Sequence, residues 1–100
     1  MRMLMNVAIP NEPFNTMVRK GTAGMTLKKI LEAIKPQAAY FTEQAGQRGA
    51  VLVIDMKDAS EIPAFAEPWY LSFNATCEFR IAMTPEDLGR SGLDAVAKAW

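Results

Sequence analysis

The sequence predicts an α+β domain in which helices cover one face of a four-stranded antiparallel sheet. Residues 37–56 have the composition of two strands joined by a glycine-containing turn. Residues 74–83 alternate between apolar and polar side chains, as a strand with one buried face does. Apolar residues recur at helical spacing in the segments between these strands.

The composition is that of an ordinary globular chain. One hundred residues, 50% hydrophobic and 22% charged, are expected to form one domain spanning residues 1–100. Lys plus Arg and Asp plus Glu number 11 each, so no strongly basic surface is predicted and nucleic-acid binding is disfavoured. Seven methionines indicate an irregular core or, alternatively, an adaptable apolar pocket or interface.

The absence of histidine excludes several kinds of chemistry. Without histidine there is no Ser-His-Asp or Cys-His catalysis and no histidine-ligated zinc or haem, so neither a metal nor a cofactor is expected. Cys77 is the only cysteine and cannot form an internal disulfide. No apolar segment is long enough for a membrane helix or a secretory leader, so the expected location is cytoplasmic.

The first strand is predicted at residues 1–9. Its side chains are mostly apolar on both faces, which is typical of a central strand that is covered on both sides. Asn6 would then lie in an apolar surface, where its amide needs a hydrogen-bonding partner or a ligand.

Two helices, rather than one, are predicted between residues 11 and 34. The two apolar stripes lie on roughly opposite sides of a single helix, so the chain must turn at residues 21–24. Asn11 is expected to cap the first helix, and Thr22 or Thr26 the second. The stripes consist of Phe14, Met17, Val18 and Gly21, and of Leu27, Ile30, Leu31 and Ile34.

A hairpin and another helix follow. Tyr40 lies in the first arm of the hairpin, residues 46–49 are predicted to form its turn, and residues 50–56 a buried strand. Ser60 is expected to cap the next helix, which buries Ile62, Phe65 and Ala66. Pro68 should end the regular helix, leaving residues 69–73 as an irregular apolar turn that suits core, interface or pocket wall.

The last strand is predicted at residues 74–83, with Thr84 capping a short helix and residues 93–100 forming a tail helix. An isolated helix of that length is marginal in water, so its apolar face is expected to dock on another surface. One strand face consists of Ala75, Cys77, Phe79, Ile81 and Met83, and the other of Thr76, Glu78, Arg80 and Ala82.

The order strand, helix, strand, strand, helix, strand is that of a ferredoxin-like βαββαβ sandwich, here followed by a short C-terminal helix. Its helices would leave the second sheet face uncovered. That face, which includes Leu4 and Ala8, is too apolar to remain in water. Pairing of two such faces in a symmetric homodimer would cover both of them.

Four segments carry a resemblance to a known group, over about residues 18–93. They are VRKGTAG, AAYFTEQAGQRGAVLVIDM, IPAFAEPWYLSFNA and FRIAMTPEDL. The chain resembles small, uncharacterised bacterial families of the dimeric α/β-barrel superfamily, near muconolactone isomerase. The resemblance implies a ferredoxin-like fold that pairs as a dimeric α/β barrel, with a site between the sheet and its helices. The superfamily includes cofactor-free monooxygenases, isomerases and ligand-sensing domains; its histidine-dependent members do not fit this chain.

Two functional hypotheses follow. The first is a homodimer, or a higher oligomer, that binds a small apolar or aromatic ligand without catalysing a reaction. The second is a cofactor-independent isomerase or monooxygenase acting on a small hydrophobic or aromatic substrate, with Glu78 as base and Arg80 holding a carboxylate. Glu78 and Arg80 also fit a simple surface ion pair. The candidate ligand-binding residues are Asn6, Tyr40, Trp69, Tyr70 and Arg80.

Overall fold

The computed structural model describes residues 1–100, which form four strands and five helices. A single 3₁₀ turn, Ala59–Glu61, precedes the third helix. The elements in chain order are β1 (Arg2–Ile9), α1 (Asn11–Lys20), α2 (Ala23–Ile34), β2 (Ala38–Gln44), β3 (Gln47–Asp55), α3 (Ile62–Phe73), β4 (Thr76–Ile81), α4 (Pro85–Gly89) and α5 (Leu93–Ala99).

The strands form one sheet in the order β2-β3-β1-β4, and every neighbouring pair is antiparallel. β1 and β3 are the two central strands. Two strands that are connected through a helix, such as β1 and β2, are not neighbours in the sheet, because another strand lies between them. This order, with helices on one face, is the ferredoxin-like α+β fold that the sequence predicts.

The core lies between the sheet and the helices. Alternate residues of β1 and β3 point into it, and α3 adds Trp69 and Phe73, both fully buried. Phe14 of α1 meets the Phe73 ring at 5.1 Å between centroids. The buried strand residues are Met3, Met5, Val7, Ile9, Ala50, Leu52 and Ile54. The inward face of β1 is as predicted, whereas its other face has no cover within this chain.

The break between α1 and α2 is confirmed. Gly21 adopts a left-handed conformation, φ 75°, and its N–H donates to the Val18 carbonyl at the end of α1. Asn11 lies inside α1 rather than at its cap, and Thr26 lies inside α2. Thr22 occupies the N-cap position of α2, one of the two predicted positions, but its side chain makes no capping hydrogen bond. The Thr22 hydroxyl instead donates to the Met17 carbonyl, 3.4 Å away, across the turn.

Helix α3 corrects two predictions. It continues through Pro68 to Phe73, so residues 69–73 are helical rather than an irregular turn. Proline leaves the carbonyl of Ala64 without its helical donor, but Ala64 is exposed and water can reach it. Ser60 also does not cap α3, which begins without a side-chain cap; the Asp58 carboxylate instead caps the preceding 3₁₀ turn, where it accepts from the Ser60 N–H at 2.8 Å.

The β2–β3 hairpin is tighter than predicted. Gln44 pairs with Gln47, so Ala45 and Gly46, both at positive φ, form a two-residue turn. Gly49 belongs to β3 rather than to the turn, and it is buried. A Cβ at Gly49 would lie 2.9 Å from the Val7 carbonyl oxygen, so close approach of two backbones explains this glycine.

The chain beyond β4 leaves the domain. Strand β4 ends at Ile81, two residues earlier than predicted, and the side chains of Ile81 and Met83 are exposed. Thr84 caps α4 as predicted, in a reciprocal capping box with Asp87. The molecule measures 60 × 27 × 19 Å, and its radius of gyration of 16.8 Å exceeds the about 13 Å of a compact chain of this length.

We expect Gly49→Ala to lower the free energy of unfolding by about 1–3 kcal/mol, because the β1 backbone cannot move away from the added methyl group. Urea unfolding followed by circular dichroism measures this. Gly24→Ala is the matched control, since an added methyl there meets no atom within 4 Å, and it should leave stability unchanged or slightly raised. Equal effects of the two substitutions would contradict the close-approach explanation.

Candidate functional site

The sheet face that points away from the helices, called the open face below, contains four of the candidate residues. Strand register places Tyr40 opposite Val51, Val51 opposite Asn6, and Asn6 opposite Glu78. Residues paired across strands share a face, and neighbouring strands lie about 4.8 Å apart, so this row spans roughly 15 Å of the sheet.

Two further rows complete the open face. On one side of the central row lies the row Ala38, Val53, Leu4 and Arg80; on the other lies the row Thr42, Gly49, Ala8 and Thr76. Apart from Asn6 on β1, the middle of the face is apolar and half-buried, whereas the other polar groups stand at its two edges. The Tyr40 side chain is 66% exposed on edge strand β2, and Glu78 and Arg80 are exposed on edge strand β4.

The charged side chains of the open face are not engaged with each other. The four ion pairs of the chain are Met1 with Asp55, Arg19 with Glu12, Lys28 with Glu32, and Arg90 with Asp87. Glu78 and Arg80 therefore do not form the surface ion pair that their spacing allows. Both remain available to a ligand or to a facing surface.

The structure places the two other candidate residues on the opposite side of the sheet. Trp69 is sealed in the core beside Phe73, and its indole N–H has no hydrogen-bonding partner within the chain. Tyr70 lies at the surface of α3, and loss of solvent, with smaller contributions from Cys77 and Glu67, raises the pKa of its phenol. The sheet thus separates Trp69 and Tyr70 from Asn6, Tyr40, Glu78 and Arg80.

Cys77 is half-buried on the helix side of β4. Burial raises the pKa of its thiol from 9.0 to about 12, so the group is neutral at physiological pH. A neutral thiol is a poor nucleophile and a poor metal ligand. The cysteine is therefore a packing residue in this position.

A groove between α2 and α3 is a concave feature that the sequence analysis did not identify. Its larger part, about 310 Å³, is lined by residues that include Lys29, Ile30, Ala33, Pro68 and Leu71. A smaller part of about 160 Å³ continues past Ala33 to Glu61, Ala64 and Phe65. The apolar spacing of α2 was visible in the sequence, but the separation of the two helices depends on tertiary packing.

Other features of a functional site are few. No group of three or more Cys, Asp and Glu side chains is arranged to hold a metal ion. None of the helices is both long and apolar enough to cross a bilayer. The largest concavity, about 370 Å³, lies between α4 and α5, and none of the candidate residues lines it.

The fold and the open face define a ferredoxin-like α+β protein with a polar-edged, apolar sheet surface. No protein-family model matches the chain, and no curated protein matches it. Among solved structures, the chain is similar to 5-chloro-2-hydroxyhydroquinone dehydrochlorinase (TftG) from Burkholderia phenoliruptrix, solved in complex with 2,5-dihydroxybenzoquinone. The TM-score is 0.61 and the identity 17%, covering 86% of this chain and 97% of that one. At this identity the likeness establishes the fold.

We expect the Cys77 thiol to react with a disulfide reagent at pH 8 about a thousandfold more slowly in the folded protein than in guanidinium chloride, because only the thiolate reacts. Raising the pH toward 12 should speed the folded-state reaction while the fold persists. Absorbance of the released thiolate measures both rates. Similar rates in folded and denatured protein would contradict a buried, neutral thiol.

Proposed function

We propose that this protein is a homodimer that pairs two open faces and binds a small hydrophobic or aromatic ligand between them. The observation on which this rests is the open face itself, an apolar sheet surface with Tyr40 at one edge and Glu78 and Arg80 at the other. A polar group at each edge of an apolar floor is the pattern by which proteins orient a small ligand.

The pairing of two copies is argued from the centre of the open face. Leu4, Val51 and Val53 are adjacent on β1 and β3, and no helix of the chain covers them. Apolar surface of this kind is rarely left in water by a monomer. A second copy related by a two-fold axis offers the same surface and covers both faces at once.

The ligand is argued from side-chain volume. Packed sheets lie about 10 Å apart, so facing side chains must be large to fill the space between them. The row Thr42, Gly49, Ala8 and Thr76 has the smallest side chains of the open face; the Gln44 side chain covers Gly49, which leaves the unfilled part of the row over Ala8 and Thr76. Two copies would therefore enclose space beside this row.

The chemistry of the ligand follows from the polar groups of the open face, of which Asn6 and Tyr40 lie in the row next to that space and Arg80 lies one row farther along β4. The Asn6 amide offers a donor and an acceptor, the Tyr40 phenol a donor, and the Arg80 guanidinium a planar pair of donors. These groups suit an aromatic or quinone-like molecule with hydroxyl, carbonyl or carboxylate oxygens. The similar structure holds 2,5-dihydroxybenzoquinone, a molecule of this description.

The alternative is an enzyme, a cofactor-independent isomerase or monooxygenase that uses the same surface. Glu78 lies beside Asn6 on the neighbouring strand, in no ion pair of the chain, and could accept a proton once a second copy excludes water. Recovery of chemically altered ligand after incubation with the protein would favour this alternative over simple binding.

Val51→Arg should convert the dimer to monomer, weakening association about a hundredfold or more, because an unpaired charge in an apolar interface costs several kcal/mol. Sedimentation equilibrium measures the association constant. Val18→Arg, the same substitution at an exposed position of α1, is the control and should leave the dimer intact. A monomeric wild-type protein, or equal effects of both substitutions, would refute pairing through the open face.

Titration calorimetry with 2,5-dihydroxybenzoquinone tests the ligand. We expect Arg80→Gln to weaken binding about tenfold, because a hydrogen bond from a cation to a ligand oxygen contributes about 1.4 kcal/mol or more. Arg19→Gln, on α1, should bind like the wild type. Absence of binding at millimolar probe would overturn the proposed ligand class, and equal affinities of the two variants would move the site away from the open face.

A further inference from the structure

Residues 82–100, called the arm below, present an apolar surface that nothing in the chain covers. Leu88 of α4 and Leu93 and Val96 of α5 are all exposed, and the Trp100 side chain is 100% exposed. Helix α5 has seven residues, and an isolated helix of that length is marginal in water. The arm therefore requires a surface on which to dock.

The arm is directed away from its own domain. The Ala82 N–H donates to the Arg2 carbonyl at 3.0 Å, which extends the β4 pairing beyond the strand and sends the chain along the strand direction. The capping box of Thr84 and Asp87 then fixes the start of α4. The 60 Å length of the molecule results from this projection.

The α2–α3 groove is the complementary feature. It is an apolar channel between two helices, and Leu71 on its wall is 82% exposed. An amphipathic helix laid into an apolar groove is a recurrent mode of protein recognition. The same chain thus contains an apolar groove and an apolar helix that could bind in such a groove.

We infer that the arm of one protomer docks its α5 helix in the α2–α3 groove of a second copy. This inference rests on the proposed homodimer. The charges at the groove and on the helix match: Lys29 and Glu61 stand at different parts of the groove, and Asp94 and Lys98 are one turn apart on α5. None of these four groups has an ion-pair partner within its own chain.

The area of the open face is a further reason for the exchange. Four strands about 4.8 Å apart, with some six paired residues of about 3.3 Å each, have a projected area of roughly 400 Å². A standard protein interface buries about 800 Å² per partner. An exchanged arm would add a second contact area to that of the open face.

With two-fold symmetry, the exchange of arms is complete within the dimer and does not extend to further copies. Each arm enters the other protomer, so the contact occurs twice and no free groove remains. To reach the groove, the arm has to pass one sheet and one helical layer, a distance of about 20 Å. Residues 82–92 precede α5 and include the α4 helix, which gives the arm the length for this distance.

Disulfide trapping tests the exchange in the full chain. Val96→Cys and Ala33→Cys are made separately, each with Cys77→Ser, and the two proteins are mixed and oxidised. We expect a covalent dimer of twice the 11.1 kDa chain mass. Val96→Cys mixed with Lys20→Cys, at the far end of α1, is the control and should give several-fold less cross-linked product.

The outcomes separate this inference from the proposed dimer. A chain with both Val96→Cys and Ala33→Cys that forms only an internal disulfide at every concentration would show docking on its own domain, and would overturn the exchange. Absence of cross-linking in a protein that still sediments as a dimer would overturn the exchange and leave the open-face dimer standing. A wild-type protein that sediments as a monomer would overturn both.

Charge reversal gives an independent measurement. Lys29→Asp alone should reduce the cross-linked yield several-fold, because it would face Asp94 with a like charge. Combining it with Asp94→Lys in the partner should restore most of the yield. Failure of the second substitution to restore it would contradict the orientation of α5 in the groove.

Discussion

The central constraint on this molecule is that β1 pairs on both edges while only one of its faces is covered. Its antiparallel partners are β3 on one side and β4 on the other. The inward residues Met5 and Val7 are fully buried under the helices. The outward residues Leu4 and Asn6 lie on a face that the chain itself does not cover, and the candidate site, the proposed partner and the direction of the arm all depend on that arrangement.

Local pattern was sufficient to predict most of the fold. Alternation in β1 and in residues 74–83 separated the two faces of each strand, since side chains with a period of two can point in only two directions. The opposed stripes of α1 and α2 required a turn, and Gly21 makes it. The elements and their order, and hence the ferredoxin-like class, follow from such short-range rules.

The errors occurred where tertiary contacts override local rules. Gly49 looked like a turn residue, but its reason is the Val7 carbonyl, more than forty residues away in the chain. Pro68 looked like a helix end, but α3 continues because Trp69 and Phe73 bury their rings on the core side. Neither contact can be read from the residues next to it in sequence.

The candidate site was predictable only in part. The strand residues Asn6, Tyr40, Glu78 and Arg80 share one face because cross-strand register aligns them, and that register cannot be read from separate segments. Trp69 and Tyr70 were grouped with them by composition alone, and the sheet lies between the two sets. The α2–α3 groove depends on the distance between two helices, which no local pattern specifies.

The topology of β1 also has a kinetic consequence. The first strand of the chain pairs with residues near 50 and near 80, so one of its edges stays open until half of the chain is available and the other until residues near 80 are. Long-range pairing of this kind slows folding, because loop closure must precede the contacts that stabilise it. During that interval an apolar strand with at least one unpaired edge is exposed to other chains. Aggregation is therefore expected to begin at the first nine residues, before β4 has paired with β1.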